Sequence, residues 1–440
     1  MKPYYEQDGQ SIHCNDALRE LPELQGDSVD LLTTDPPYGI SFMGKSWDKA
    51  LPDIQIWREC LRVLKPGAFA FVMSIPRSDC LSRMIISLED AGFRVDFTPI
   101  FWTYASGFPK AQNIGKAVDK RLGAEREVVG TKVGLPGYCD KPSDNNGGSV
   151  LSGRADGTLN QAEKECAITA PATPQAKALE GSYGGYQPKP AVEVIIVAMK
   201  PLSEKTFVSQ ALINGKGITW LDDCRIPTGD NLNGGMYSGE GKARIVADHQ
   251  WGFQKRDGQY VQPSGRFPAN LLVSDDVLDD GRERISQRHN KGLRPRSPAI
   301  PGDTDYIYGD DPIRGYSDSG SFSRYFDLDQ WWAKTFPFLI VPKASKSEKN
   351  RHLERAEINA NKNTRVKNNH PTVKPLKLMS YLITMGSREG DTVLDPFLGS
   401  GTTAVASQLL SRKCIGIEIE ERYAEIAAKR LSQSVMDLGV

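Results

Sequence analysis

Strand–helix alternation marks both ends of this chain and breaks off between them. Near the N-terminus, Val29 to Thr34 reads as a buried strand ending at Asp35, and Ile54 to Leu64 as a helix stopped by Pro66-Gly67. Ala68 to Met73 follows as a strand, Ser78 to Ala91 as a helix with Gly92 at its C-cap, and Val95 to Tyr104 as a further strand. The pattern returns late. Pro375 to Met385 reads as helix, Thr392 to Leu394 as strand, Thr402 to Leu410 as helix, Cys414 to Ile417 as strand and Glu420 to Leu431 as helix. Such βαβ punctuation implies an α/β fold with a mostly parallel sheet. Between the ends, 105–190 accumulates Gly, Ser, Asn and Pro, and 201–335 is rich in Gly, Asp and Arg with little periodicity. Two strands read out of this middle, Ala191 to Met199 and Phe336 to Val341. The simplest architecture is one α/β domain made from both chain ends around a large insertion.

Bulk properties bound the functional classes. At 440 residues the chain exceeds one compact core. Hydrophobic residues at 39% and charged residues at 25% suit a globular protein rather than global disorder. Formal net charge is zero, so any nucleic-acid contact must come from local patches. Two are candidates: 343–367, with eight Lys or Arg against three Glu, and the cluster Arg282, Arg284, Arg288, Lys291, Arg294 and Arg296. Either serves equally well as a solvated loop. The seven cysteines include no C-x-x-C pair, which argues against a zinc site or disulfide framework and for reduced thiols in the cytoplasm. No metal site is expected. The opening Met-Lys-Pro-Tyr-Tyr has no apolar signal core and no run reaches 18 apolar residues, so neither secretion nor a membrane span is expected.

The sharpest local feature is Asp35-Pro36-Pro37-Tyr38 at the end of an apolar strand, where open α/β sheets bind ligands. Successive prolines give a stiff, extended backbone without N–H donors. The Asp35 carboxylate and the Pro36 carbonyl are then acceptors beside the aromatic face of Tyr38, a set suited to a planar amino-heterocycle. A Pro-Pro turn capped by Asp is the plain alternative. A second feature, Asp395-Pro-Phe-Leu-Gly-Ser-Gly-Thr-Thr403, joins a strand to a helix, and its glycines allow close approach of a ligand. Glu418 ends the next strand, placed for ribose hydroxyls as in dinucleotide folds. Gly39 to Ser46 also fits the phosphate-loop pattern G-x-x-x-x-G-K-[ST]. That motif needs a strand directly before and a helix directly after, and this stretch has a Pro-Pro before it and Pro52 soon after.

DPPY at 35–38, His370-Pro-Thr-Val-Lys-Pro375 and DPFLGSGTT at 395–403, in that order, resemble the motifs of the β group of S-adenosylmethionine-dependent DNA amino-methyltransferases. The resemblance covers roughly 10–104, 191–200 and 336–432. It implies a permuted Rossmann-like methyltransferase fold with a large irregular target-recognition insertion. In that scheme 1–104 is the catalytic half, 105–190 an insertion, 191–200 a core strand, 201–335 the candidate target-recognition domain and 336–440 the cofactor-binding half.

Carried over by position, the resemblance gives Asp35, Pro36, Pro37 and Tyr38 the catalytic role, with Tyr38 stacking on a base flipped from double-stranded DNA. Asp395, Phe397, Gly399, Gly401 and Thr402 would form the cofactor's methionine-side loop, and Glu418 would bind its ribose. Asp16 would contact its adenine, unless it is only a helix N-cap. Thr372 and Lys374 would lie near its carboxylate, unless they form a surface turn. Phe42, Trp47, Trp102 and Tyr104 either line the base pocket or pack the core. DPPY is usual for adenine-N6 enzymes, SPPY for cytosine-N4 and NPPY for protein glutamine. No Pro-Cys pair of the cytosine-C5 kind is present. The implied activity is adenine-N6 methylation of DNA, as in restriction-modification systems. Cytosine-N4 methylation and a non-catalytic DNA-binding protein are the alternatives, and the resemblance permits a homodimer.

Overall fold

The computed structural model describes residues 2–40, 48–104, 111–134, 164–186, 188, 191–229, 232, 261–274, 277–279, 284–285, 319–336 and 373–432. In chain order the strands are β1 (Tyr5–Gln7), β2 (Gln10–Cys14), β3 (Val29–Thr34), β4 (Leu64–Ser74), β5 (Ile100–Thr103), β6 (Val128–Gly134) and β7 (Lys164–Thr169). They continue with β8 (Val192–Met199), β9 (Leu271–Val273), β10 (Arg284–Ile285), β11 (Ser319–Gly320), β12 (Thr392–Asp395) and β13 (Lys413–Glu418). The helices are α1 (Ala17–Glu20), α2 (Ile54–Val63), α3 (Ser78–Asp90), α4 (Ile114–Arg121) and α5 (Pro174–Ala178). After them come α6 (Phe207–Asn214), α7 (Leu328–Thr335), α8 (Leu376–Gly386), α9 (Thr402–Leu409) and α10 (Glu421–Ser432). Two compact units result, one of Met1–Ala105, Val192–Ala356 and Arg365–Val440, the other of Ser106–Ala191 and Glu357–Thr364.

The larger unit is built on a nine-stranded sheet in the order β1-β2-β13-β12-β3-β4-β8-β5-β9. The five strands β2, β13, β12, β3 and β4 are mutually parallel. Strand β8 runs against β4 and β5, while β9 is parallel to β5. The C-terminal strands β12 and β13 are therefore slotted between β2 and β3. This is a permuted Rossmann-like sheet with flanking helices and a large insertion, as the family resemblance implies.

Burial explains the central strands. All six residues of β3 are buried, and so are eight of the last eight of β4. Two-sided burial of this kind belongs to parallel strands covered by helices on both faces. One face carries α2 and α3 through Trp57, Val63, Met84 and Leu88. The other carries α7 and α8, where Trp331 and Tyr381 pack edge to face at 4.9 Å. Helix α8 is buried at ten of its eleven residues, so it is apolar all round rather than amphipathic. A Cβ at its Gly386 would lie 2.6 Å from Leu31 Cδ1, which sets how closely the helix approaches the sheet.

Several sequence expectations need correction. Helix α2 ends at Val63 and runs straight into β4, so Pro66-Gly67 lie inside a strand rather than stopping a helix. Gly67 makes this workable at φ +80°, exchanging backbone bonds with Lys200 and Gly217. The strand expected from Val95 spans only Ile100–Thr103. Phe336 caps the C-terminus of α7 instead of starting a strand, and 337–341 lie outside the described residues. Parts of the region read as irregular join the main core: Cys224, Ile226, Leu272, Leu328, Trp331 and Trp332 are all buried there.

In the smaller unit, β6 and β7 pair antiparallel. The Asp119 carboxylate of α4 gathers the Arg126 guanidinium at 2.8 Å, the Thr173 hydroxyl at 2.7 Å and the amides of Ala172 and Thr173.

Candidate active site at the carboxyl ends of the parallel strands

Strands β3 and β12 are neighbours in register, Leu32 beside Leu394, so Thr34-Asp35 and Asp395 emerge at the same edge of the sheet. Glu418 ends β13 beside Cys14 of β2, and Asp16 follows two residues later. The chain leaves β12 and β3 in opposite lateral directions, which creates the crevice where such sheets take ligands.

Asp35 lies in a partly buried charged cluster. Its Oδ1 accepts from the Tyr38 hydroxyl at 2.5 Å, and its Oδ2 faces Lys374 Nζ at 3.1 Å. The same ammonium lies 2.8 Å from Glu193 Oε2 and donates to Tyr38 Oη at 3.2 Å. Burial raises the Asp35 pKa, the Lys374 charge opposes that rise, and Glu193 adds to it. Burial works against the charge on Lys374, but Asp35 and Glu193 outweigh it and hold its pKa above the ordinary value. Tyr104, tilted against Trp102 with ring centroids 4.7 Å apart, is pushed up to about 12 by burial and then by Glu193. The loop after the two prolines is pinned by buried Asp48, whose Oδ1 accepts from the amides of Tyr38 and Gly39 at 2.7 and 3.0 Å.

Asp395 organises the glycine loop. Its carboxylate accepts from Thr34 Oγ1 at 2.6 Å, Thr403 Oγ1 at 2.5 Å and the Phe397 amide at 3.0 Å. Burial lifts its pKa to about 6 against these three donors. Phe397 packs edge-on against Trp57. Gly399 and Gly401 take positive φ, +55° and +85°, as a tight strand-to-helix turn requires. Glu418 folds back on this loop, its Oε2 accepting from the Gly399 amide at 2.7 Å and its Oε1 from the Glu420 amide at 2.8 Å. Burial pushes its pKa to about 7, with those two amides pulling it down.

The fold thus brings Asp35, Pro36, Pro37 and Tyr38 to one crevice with Asp395, Phe397, Gly399, Gly401 and Glu418. Asp16 lies two residues beyond β2 and caps α1 through the Leu18 amide, as its N-cap reading expects. Thr402 is buried, with its hydroxyl accepting from Arg430 at 3.3 Å. Lys374, grouped with the cofactor residues by resemblance, instead lies against Asp35 and Glu193. Thr372, His370, Phe42, Trp47, residues 41–47 of the phosphate-loop match, and 343–367 lie outside the described residues, as do the side chains of the 282–296 cluster. Residues 48–53 are not α-helical, unlike a phosphate loop's continuation. Sequence reasoning missed Glu193, although a carboxylate inside the apolar run AVEVIIVAM was a visible signal. Asp48 and Arg430 carried no such signal. Among the described residues, no group of three or more His, Cys, Asp or Glu could hold a metal ion, and no helix is long and apolar enough to cross a membrane.

The fold is a permuted Rossmann-like sheet with an acid-Pro-Pro-Tyr turn and a glycine loop at its carboxyl edge. The DNA methylase family model N6_N4_Mtase matches residues 273–429. The chain is similar to the type II methyltransferase M2.DpnII of Streptococcus pneumoniae, 52% identical over 62 residues, 14% of this chain and 23% of that protein. M2.LlaDCHI of Lactococcus lactis subsp. cremoris is 48% identical over 64 residues, 14% of this chain and 24% of that protein. The matched stretch therefore spans under a quarter of the length of these relatives. Among solved structures, the cytosine-N4-specific PvuII DNA methyltransferase aligns over 100% of this chain and 90% of its own, at 14% identity and a TM-score of 0.40.

Proposed function

We propose that this chain transfers a methyl group from S-adenosylmethionine to adenine N6 in double-stranded DNA, acting on a base flipped out of the duplex. The observation that carries the reading is the direct bond between the two motifs: Thr34, next to Asp35, donates to Asp395 at the head of the glycine loop. A methyl acceptor held at Asp35 and a donor held by the loop then meet in one crevice.

The residues at the cofactor position fit that group chemically. Glu418 and Asp16 are carboxylates at the ends of adjacent parallel strands, suited to ribose hydroxyls and a ring amino group. The positive-φ glycines at 399 and 401 bring bare backbone to the crevice. Bound S-adenosylmethionine would supply an electrophilic methyl carbon on a sulfonium sulfur.

The chain's own residues do the rest. Asp35 and the Pro36 carbonyl accept the two amino hydrogens, which localises the nitrogen lone pair that ring conjugation otherwise delocalises. Both acceptors stabilise the positive charge that builds on nitrogen during attack. Tyr38 presents its ring to the base face. Asp35 is placed to take the amino proton lost afterwards. Positioning supplies much of the acceleration, so no covalent enzyme intermediate is required. An acid at position 35, where cytosine-N4 enzymes usually carry serine, favours adenine. The described parts of 201–335 and the basic stretches are the segments for DNA contact.

The test is incubation with unmethylated plasmid DNA and isotope-labelled S-adenosylmethionine, followed by nucleoside mass spectrometry. Labelled N6-methyladenosine is expected. N4-methylcytosine would overturn the choice of base, and no label on DNA would overturn the reading altogether.

A further inference from the structure

We propose that Glu193 is a positioning residue for this methyl transfer, acting through Lys374 to keep Asp35 available to the target amino group. The inference rests on the functional reading above. Glu193 lies in β8 opposite Trp102, in a strand otherwise of apolar residues, where a carboxylate is costly to bury without a charged partner. Its partner is Lys374, and Lys374 is shared: its ammonium lies 2.8 Å from Glu193 Oε2 and 3.1 Å from Asp35 Oδ2 and donates to Tyr38 Oη at 3.2 Å.

The sharing has two consequences. Asp35 must accept from an incoming amino group, yet Lys374 already faces one of its oxygens. With Glu193 charged, the ammonium divides its attraction between two carboxylates, and Glu193 is a place for it to withdraw to. With Glu193 neutral, the ammonium would belong to Asp35 alone, and in a buried site the amino group would compete with a complete ion pair. The second consequence concerns charge. Two carboxylates and one ammonium leave the cluster one negative charge, which favours the positive charge that develops at the amino nitrogen. In the step itself the nitrogen lone pair forms the N–C bond and the C–S bond breaks with its electrons left on sulfur. One amino proton then passes to Asp35 and on to water.

The experiment compares wild type, Glu193→Gln, Glu193→Asp, Lys374→Met and the Glu193→Gln/Lys374→Met double variant. Each is assayed for DNA methylation at saturating cofactor, for cofactor affinity and for thermal melting. Glu193→Gln is expected to lower kcat about tenfold or more, with cofactor affinity within about twofold. Glu193→Asp, which keeps the charge, should recover part of that loss. Once Lys374 is gone, Glu193→Gln should cost much less than it does in the wild-type background, because coupled residues are not additive. Near-normal turnover of Glu193→Gln would overturn the inference, and so would losses that simply multiply in the double variant. If Glu193→Gln does not fold, Glu193→Asp decides: no rate change on shortening the side chain overturns the inference, and a fall in kcat at constant cofactor affinity supports it. Absence of methylation by the wild type would overturn the functional reading and this inference together, which distinguishes that failure from a defect confined to the variants.

Discussion

Thr34 Oγ1 donates to Asp395 Oδ1 at 2.6 Å, joining the last residue of a strand from the N-terminal half to the last residue of a strand from the C-terminal half. The two positions are 361 residues apart in sequence and are adjacent only because β12 is slotted beside β3. Thr34→Val keeps the side-chain shape and removes the donor, leaving a buried carboxylate with Thr403 and the Phe397 amide. Loss of a hydrogen bond to a buried charged group costs about 1–3 kcal/mol. Urea unfolding should show a lower midpoint with an unchanged slope, and Thr34→Ser, which restores the hydroxyl, should recover most of the loss. Equal midpoints for Thr34→Val and wild type would mean the bond contributes nothing.

Asp35→Ala removes the acceptor on which the chemistry is proposed to depend, and the residues placed for the cofactor lie on other strands. Label transfer to DNA should fall by at least about 100- to 1,000-fold, the usual effect of deleting one preorganised electrostatic contact. Cofactor affinity, measured by calorimetry on the same preparation, should stay within a few-fold of wild type. Retained turnover would remove Asp35 from the mechanism. Lost cofactor binding would show that the variant damages more than the base site.

Much of this arrangement was legible in the sequence, for identifiable reasons. Strands β3, β12 and β13 are short apolar runs that end in an acid, so both the element and its functional terminus stand out. The segment 95–99 misleads because Val95 and Phe97 alternate with polar residues as a strand would. Yet Asp96 and Thr98 are exposed and the run reaches Pro99 before pairing begins at Ile100. Helix α7 was hidden in a stretch without long periodicity; its start is fixed by Asp327, which caps the Asp329 and Gln330 amides. Lys374 was visible as part of a motif, but its partner was not, since Glu193 is brought to it only by β8 crossing between β4 and β5.

Glu418 gives a pH prediction with a definite sign. Burial raises its pKa from the ordinary 4.5 to about 7, so the folded state holds a proton that the unfolded chain has released. The associated stability is fully present below about pH 4.5 and is lost as pH rises through 7. A shift of that size corresponds to about 3 kcal/mol. Denaturant unfolding at pH 5 and pH 8 should show wild type losing stability over this interval, and Glu418→Gln, which cannot ionise, losing less. Asp395, lifted to about 6, acts in the same direction in both proteins. Identical pH dependence in the two would show that Glu418 titrates normally.

Gly401 tests how tightly the glycine loop is tied to the last helix. It precedes α9 at φ +85°, and a Cβ there would lie 2.6 Å from Ala427 Cβ and 3.0 Å from Ala427 Cα of α10. The helix cannot easily retreat, because Arg430, three residues on, donates to the Ser400 carbonyl at 2.6 Å from within the buried contact. Gly401→Ala therefore combines an unfavourable backbone conformation with overpacking, together worth about 2–4 kcal/mol. Thermal melting should fall accordingly, and cofactor affinity should weaken as the loop is pushed away from the strand ends. Ala427→Gly in the same chain removes the colliding methyl at the cost of about 1 kcal/mol for glycine in a helix. The double variant should still melt above Gly401→Ala alone, since relief of the clash exceeds that cost. Melting of Gly401→Ala at the wild-type temperature would mean that the loop and α10 are not held as closely as 2.6 Å requires.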